Sequence, residues 1–228
     1  MDLMEAIRAR HSVRTYRDRP IEQDKRDDLQ RLVNELNAES GLSMQLVFDD
    51  TDTFDERSAC YGLFSGVRNY LALVGCKSFS LEEACGYFGE QVVLRAQQLG
   101  LNSCWALLAD SRECPNVRVL PGEELVCVVV LGYGTTQGVP RQSKSPEDVI
   151  RIAGEHVVDI GVPQWFYDGV VAALLAPTAK NQQKFIFALD GKEVDAASLP
   201  GQHVRLDLGI AKLHFEIGAG TDSFDWAP

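Results

Sequence analysis

Leu3 and Ile7, with Met4 and Ala6 beside them, put the apolar positions of residues 2 to 9 on one side of a short helix. A polar turn, RHSVRTYRDRP, follows. From about Glu22 the apolar positions Leu29, Leu32, Val33 and Leu36 recur at helical spacing, so a second helix is predicted, ended by SGL. SMQLVFDD alternates as a strand does. Residues 50 to 66 predict nothing regular beyond one helical turn. NYLALVG is a continuous apolar run, the mark of a strand buried on both faces. A long helix is predicted from Leu81 to Leu99, with Gly100 placed as its C-terminal cap. SCWALLA reads as extended, and EELVCVVVLGYG, dense in valine and closed by glycines, is the clearest strand.

The C-terminal third is patterned as strongly. Ser145 as N-cap and Pro146 in the first helical position predict a helix start in SKSPEDVIRI. Pro163 opens the next element, and QWFYDGVVAALLA is helical until Pro177 stops it. KFIFALDGKEV reads as a strand and turn, LDLGIAKLHFEIGAG as a last helix closed by glycine. This order predicts an α+β fold around one central sheet, as a single domain over residues 1–228. No convincing linker interrupts it; residues 135 to 146 come nearest.

The last third also echoes the first two. Gly89 and Gly209 stand at the same offset as Gly100 and Gly220, with Val93 and Leu213 between them. The polar equipment is divided, however: RHSVR occurs only early, and APTAKNQQ only late.

Charge narrows the function. Against 22 basic residues stand 33 acidic ones, a net charge of −11, which disfavours non-specific nucleic-acid binding. The first residues carry charges and no apolar h-region, and no run approaches the roughly 18 apolar residues of a membrane span, so a cytoplasmic location is expected. Six cysteines without a CxxC pair are expected to be reduced core residues. The four histidines, His11, His156, His203 and His214, do not cluster, and no metal site is predicted.

In this acidic chain RARHSVR gathers Arg8, Arg10, Ser12 and Arg14, either a phosphate clamp or a basic surface turn. Arg141 and Lys144 form a second basic turn that could serve the same anion or decorate a loop. Thr178, Asn181 and Gln182 can donate and accept along the edge of a planar ligand, or satisfy the free carbonyls of a helix end. The GxSxG elbow and the Walker phosphate loop are absent, GYGTTQG has the wrong spacing for a dinucleotide fingerprint, and the pattern pairs no carboxylates for acid/base work.

Three segments together are recognisable. RARHSVRTY resembles the Arg-x-Ser-x-Arg start of the FMN-dependent nitroreductase family, and APTAKNQQKFIF its Pro-Ser-Ala-x-Asn-x-Gln-Pro turn and following strand. AQQLGLNSCWALL is similar to the family's Leu-Gly-Leu-x-Ser-x-Trp segment beside the flavin. The combination resembles the single-chain, internally duplicated subgroup. The resemblance implies a mostly antiparallel sheet flanked by helices and a pseudo-dimeric arrangement of two halves. Residues 1–146 would carry the clamp, and the truncated half 147–228 the APTAKNQQ turn. One FMN site per chain would then be compatible with a monomer.

Carried over by position, Arg10 and Ser12 would hold the phosphate, His11 would add backbone contacts, and Lys144 would match a basic phosphate ligand. Arg14 would sit near the ribityl chain or the pyrimidine end, as a cation that tunes the flavin. Pro177, Thr178, Ala179 and Asn181, with Gln182 completing the amide set, would line the isoalloxazine. Leu107 and Leu108 would approach it through main chain, and Asn69 would stand for a basic or amide residue of the middle of the chain. Gln182, Gln183 and Lys184 depart from the family's Gln-Pro-Trp. The implied activity is ping-pong hydride transfer from NAD(P)H through FMN to a small nitroaromatic or quinone-like acceptor, with no catalytic side chain required. The alternative is a non-catalytic flavin carrier or ligand-binding protein on the same scaffold.

Overall fold

Local signals set the helices where the pattern predicts them. The computed structural model describes residues 1–50, 53–54, 64–107, 114–152 and 161–227. Helix α1 (Leu3–Ala9) starts on a capping box: the Glu5 N–H donates to Asp2 Oδ1 at 2.7 Å, and the Asp2 N–H donates to Glu5 Oε2 at 2.8 Å. Helix α2 (Gln23–Ser40) buries Leu29, Val33 and Leu36 and stops at Gly41, which is left-handed. Helix α3 (Leu81–Gln98) ends in a Schellman motif, with Leu101 N–H bonded to Ala96 O, Gly100 N–H to Gln97 O, and Gly100 at φ 79°.

Strands β1 (Gln45–Val47), β2 (Asn69–Cys76), β3 (Asn102–Ala106) and β4 (Glu123–Gly132) form a sheet of order β1-β2-β4-β3, antiparallel throughout. Helix α4 (Pro146–Val149) leads into β5 (Ile150–Ile152), followed by α5 (Gln164–Ala173), β6 (Phe185–Asp190), β7 (Glu193–Ser198), α6 (Val204–Ala219) and β8 (Asp225–Trp226). These strands make a second sheet, β5-β6-β7-β8, with an antiparallel hairpin flanked by two parallel pairings.

The α+β class and the mostly antiparallel pairing hold, but the expected single central sheet is two four-stranded sheets. Their separation follows from the helices. One apolar cluster joins α3 to the first sheet through Leu71, Leu73, Val93 and Val129. Another joins α5 and α6 to the second sheet through Phe166, Phe187, Leu189 and Phe215. The two long helices pack on each other between these cores. Ser145 is the N-cap and Pro146 opens α4 as expected, yet the helix lasts only four residues, because Ile150–Ile152 pairs in parallel with Phe187–Leu189. Non-local pairing overrides the local helix signal. Helix α5 gives way to tight turns over residues 172–176 before Pro177, whose ring disfavours helical geometry in the residue ahead of it.

The contact between α3 and α6 is reciprocal. A Cβ on Gly86 would overlap the Leu206 carbonyl oxygen and crowd Ile210 N; a Cβ on Gly209 would overlap the Glu83 carbonyl oxygen and crowd Tyr87 N. Each glycine thus meets the carbonyl three residues before, and the amide one residue after, the other glycine. An isologous interface has this form. The sequence echo aligned Gly209 with Gly89; the contact pairs it with Gly86, one helical turn earlier.

Cys85, Cys104, Cys114 and Cys127 are buried and Cys76 is exposed, and Cys60 lies outside the described residues. Burial pushes the Cys85 thiol up to about 12. Among the described residues no helix is long and apolar enough to cross a membrane, and no cluster of His, Cys, Asp and Glu could hold a metal.

Candidate active site

The segment after α1 is pinned rather than loose. Ser12 bridges Ser103, the Val13 N–H donates to Ser103 O at 3.0 Å, and Tyr16 OH donates back to Val13 O at 2.7 Å. Held against β3, it turns Arg10, His11, Ser12 and Arg14 into one end of a cleft of about 300 Å³. Arg141 and Ser143 close that end from the segment after β4, and Thr178, Lys180 and Asn181 face it from the turn after α5. A narrower hollow of about 90 Å³ continues from it, sharing Ser12, Arg14, Thr178 and Lys180. Its walls include Trp105, Leu107, Pro177, Ala179 and Asp207.

The turn is strained and firmly held. Lys180, Asn181 and Gln183 take φ of 53°, 55° and 45°, a left-handed conformation that costs non-glycine residues about 1–3 kcal/mol each. Hydrogen bonds offset that cost. The Ala179 N–H donates to Asp207 Oδ1 at 2.9 Å and Gln182 Nε2 to Asp207 Oδ2 at 2.7 Å. The Gln183 N–H donates to Thr178 Oγ1, and Asn181 Nδ2 to Gln142 O at 2.8 Å. Lys144 donates its backbone N–H to Gln183 Oε1 and its ammonium to Gln183 O. The amide-rich composition of this turn is therefore largely explained by its own architecture.

The wide end is electropositive to an unusual degree. The Arg10 side chain is 2% exposed, and its Nε and Nη1 have no hydrogen-bond partner. Its nearest carboxylate oxygen is Glu90 Oε1 at 3.6 Å. Glu90, fully buried, accepts from Trp105 Nε1 at 2.8 Å and contacts His214 Nε2 at 3.0 Å, whose Nδ1 faces Ala172 O. Arg141 donates to the carbonyls of Leu175 and Ala176 but leaves its Nε unpartnered. Burial, and then the charge of Arg10, lower the Arg141 guanidinium to about 10. Burial also lowers His11, with Arg10 and Arg141 adding repulsion. No carboxylate lines this end of the cleft among the described residues. Buried donors without acceptors call for an anion with several oxygens, so the donor set fits a phosphate group.

Placement of the expected site residues divides cleanly. Arg10, His11, Ser12, Arg14, Leu107, Pro177, Thr178, Ala179 and Asn181 surround the two hollows. Asn69 does not; it sits buried in β2 and accepts from the Asp49 N–H at 3.2 Å, a structural role. Gln182 lines neither hollow and braces Asp207 instead. Lys144 ties down the turn from beside the cleft. Leu108 lies outside the described residues. Sequence reasoning did not single out Asp207, Glu90 or His214 as site residues. The signal for Glu90 was available, a charge at a core position between Gly89 and Val92.

A family model described as "Putative TM nitroreductase" matches residues 2–219. The chain belongs to that family. Among solved structures, a putative nitroreductase from Thermotoga maritima is 24% identical over 97% of this chain and 85% of that one, with a TM-score of 0.64. A putative NADH dehydrogenase/NAD(P)H nitroreductase from Parabacteroides distasonis is 21% identical, covering 64% of this chain and 95% of its own, at TM-score 0.53. A nitroreductase with bound FMN from Bacteroides fragilis is 19% identical, covering 64% and 94%, at TM-score 0.50. These identities establish a shared nitroreductase fold. A search of curated proteins finds no significant match.

Proposed function

We propose that this nitroreductase-family protein is an FMN-dependent oxidoreductase that uses NAD(P)H to reduce a small organic acceptor, nitroaromatic or quinone-like, by a ping-pong cycle. The observation that carries the reading is the pair of buried guanidinium groups with unpartnered donors at one end of a cleft whose other end is narrow and partly apolar. Arg10, Arg141 and Ser12 would hold the phosphate, where two fixed cations in a partly dry site act most strongly. Arg14, lining both hollows, is placed to meet the ribityl chain and to favour negative charge on a reduced ring. Leu107, Pro177, Thr178 and Ala179 would line the ring. When bound, FMN supplies the hydride chemistry, and the side chains bind and orient it. An open cleft suits donor and acceptor taking turns in one place.

The reciprocal glycine contact of α3 and α6 supports two related halves in one chain. So does the division of labour, with the clamp before β1 and the turn after α5. Relatives that align over nearly their whole length cover about two thirds of this chain, as expected where part of a second half is appended.

The protein loaded with FMN and freed of excess by gel filtration is expected to stay yellow, to hold one FMN per chain by absorbance, and to scatter light as a monomer. With nitroaromatic supplied anaerobically it is expected to oxidise NADH or NADPH. Protein that binds no FMN would sink the cofactor, and two flavins per chain would overturn the single-site arrangement.

A further inference from the structure

We propose that the Asp207 carboxyl is the acid that hands a proton to the acceptor during its reduction. This rests on the oxidoreductase reading and adds a side chain to it. Asp207 is the one carboxylate lining either hollow among the described residues, and it stands in the narrow one beside Trp105, Pro177 and Ala179. It is 3% exposed. Each of its oxygens accepts one hydrogen bond, from the Ala179 N–H and Gln182 Nε2, so the carboxyl is fixed in direction and each oxygen retains one lone pair. Two-electron reduction of a quinone-like carbonyl adds a hydride, drawn from NAD(P)H through the cofactor, and leaves an oxyanion. The O–H bond of Asp207 breaks, its proton forms the new O–H bond on the product, and the carboxylate left behind regains a proton from solvent.

The surroundings favour a carboxyl that can do this near neutrality. Burial pushes Asp207 up to about 6, against the opposing hydrogen bonds from Gln182 and Ala179 and the charge of Arg141. The charged and titratable groups around it come from several elements: Arg141 after β4, Glu82 on α3, Cys127 on β4, Arg14 near the N-terminus, Lys180 on the turn and His203 at the start of α6. General acids tuned into this range contribute about 100-fold or more to a rate.

The test uses the FMN-loaded protein and two variants. In the wild type, acceptor reduction should fall about tenfold per pH unit above about 6, as the acid form is lost. Asp207→Asn should be about 100-fold slower at pH 6 and flat across this range. Gln182→Leu removes a hydrogen bond that favours the carboxylate, so it should move the inflection to higher pH while keeping its shape. A purely structural Asp207 would give the same pH-independent loss in both variants and would overturn the proposal, as would an unchanged profile in Asp207→Asn. Carboxyl NMR on flavin-free protein supplies a second readout: one carbon should titrate near pH 6 and vanish in Asp207→Asn. Absence of that signal would also count against the acid. Protein that takes up FMN and is reduced by NAD(P)H, yet fails these tests, rejects the acid alone; protein that takes up no FMN rejects the underlying reading.

Discussion

Arg10→Ala is expected to weaken FMN binding by about 10- to 100-fold and also to lower the stability of the ligand-free protein. The two effects come from one geometry. In the free protein the buried guanidinium lacks hydrogen-bond partners at Nε and Nη1 and has Arg141 beside it, yet it is the counter-charge of buried Glu90 at 3.6 Å, and removing one member of a buried pair is costly. A bound phosphate would satisfy those donors through charge-assisted bonds, each worth about 1.5–3 kcal/mol. Removing Arg10 forfeits those bonds and leaves buried Glu90 without its nearest cation. Fluorescence titration should show the loss for FMN and almost none for riboflavin, which has no phosphate. The melting temperature of free protein should fall, and the His11 imidazole, followed by NMR, should titrate at higher pH once a repelling neighbour is gone. Equal losses for FMN and riboflavin would place the phosphate elsewhere.

Gly209→Ala should lower the melting temperature by roughly 5–10 °C, the shift expected for about 2–3 kcal/mol in a chain of this size. Alanine favours a helix by about 1 kcal/mol over glycine, but here its methyl group overlaps the Glu83 carbonyl oxygen. Helix backbone cannot rotate aside as a side chain can, so the helices must separate, and such overpacking is costly. By reciprocity Gly86→Ala should behave alike against Leu206. The double variant should lose less than the sum, because helices already parted leave room for the second methyl. Thermal melts that leave either single variant unchanged would show the crossing to be looser than this.

What the sequence makes legible here is whatever short-range chemistry decides. Apolar spacing locates α2, α3 and α6, the turn to Gly100 ends α3 on a Schellman motif, and the continuous apolar run of β2 is indeed buried on both faces. Motif resemblance gathers Arg10, Ser12, Pro177 and Thr178, which the fold brings round one cleft. The rest depended on partners distant in the chain. Ser145 and Pro146 start a helix that β6 ends after one turn. Asn69 has the polarity of a ligand and the surroundings of a core residue. Asp207 looks like an ordinary acid in the first turn of a helix, and only the folded turn gives it a cleft and two donors. The division into two sheets was hidden because strand patterns record burial, not partnership.

The cleft is assembled from pieces near both ends of the chain: Arg10 and Ser12 early, Trp105 and Arg141 between, and Thr178 and Asp207 late. Helix α6 supplies Leu206 to the first core, Phe215 to the second, and Leu213 to the small cluster with Ile7 of α1 and Leu94 of α3. On the ribosome, therefore, the early segment can dock on β3 and α3, but its small cluster around Ile7 stays incomplete until the last long helix emerges with Leu213. Contacts so far apart in sequence make for slow folding, and the first sheet with α3 has a core of its own that can form meanwhile. Arg141, held by the carbonyls of Leu175 and Ala176, would join Arg10 only once the turn after α5 has been made.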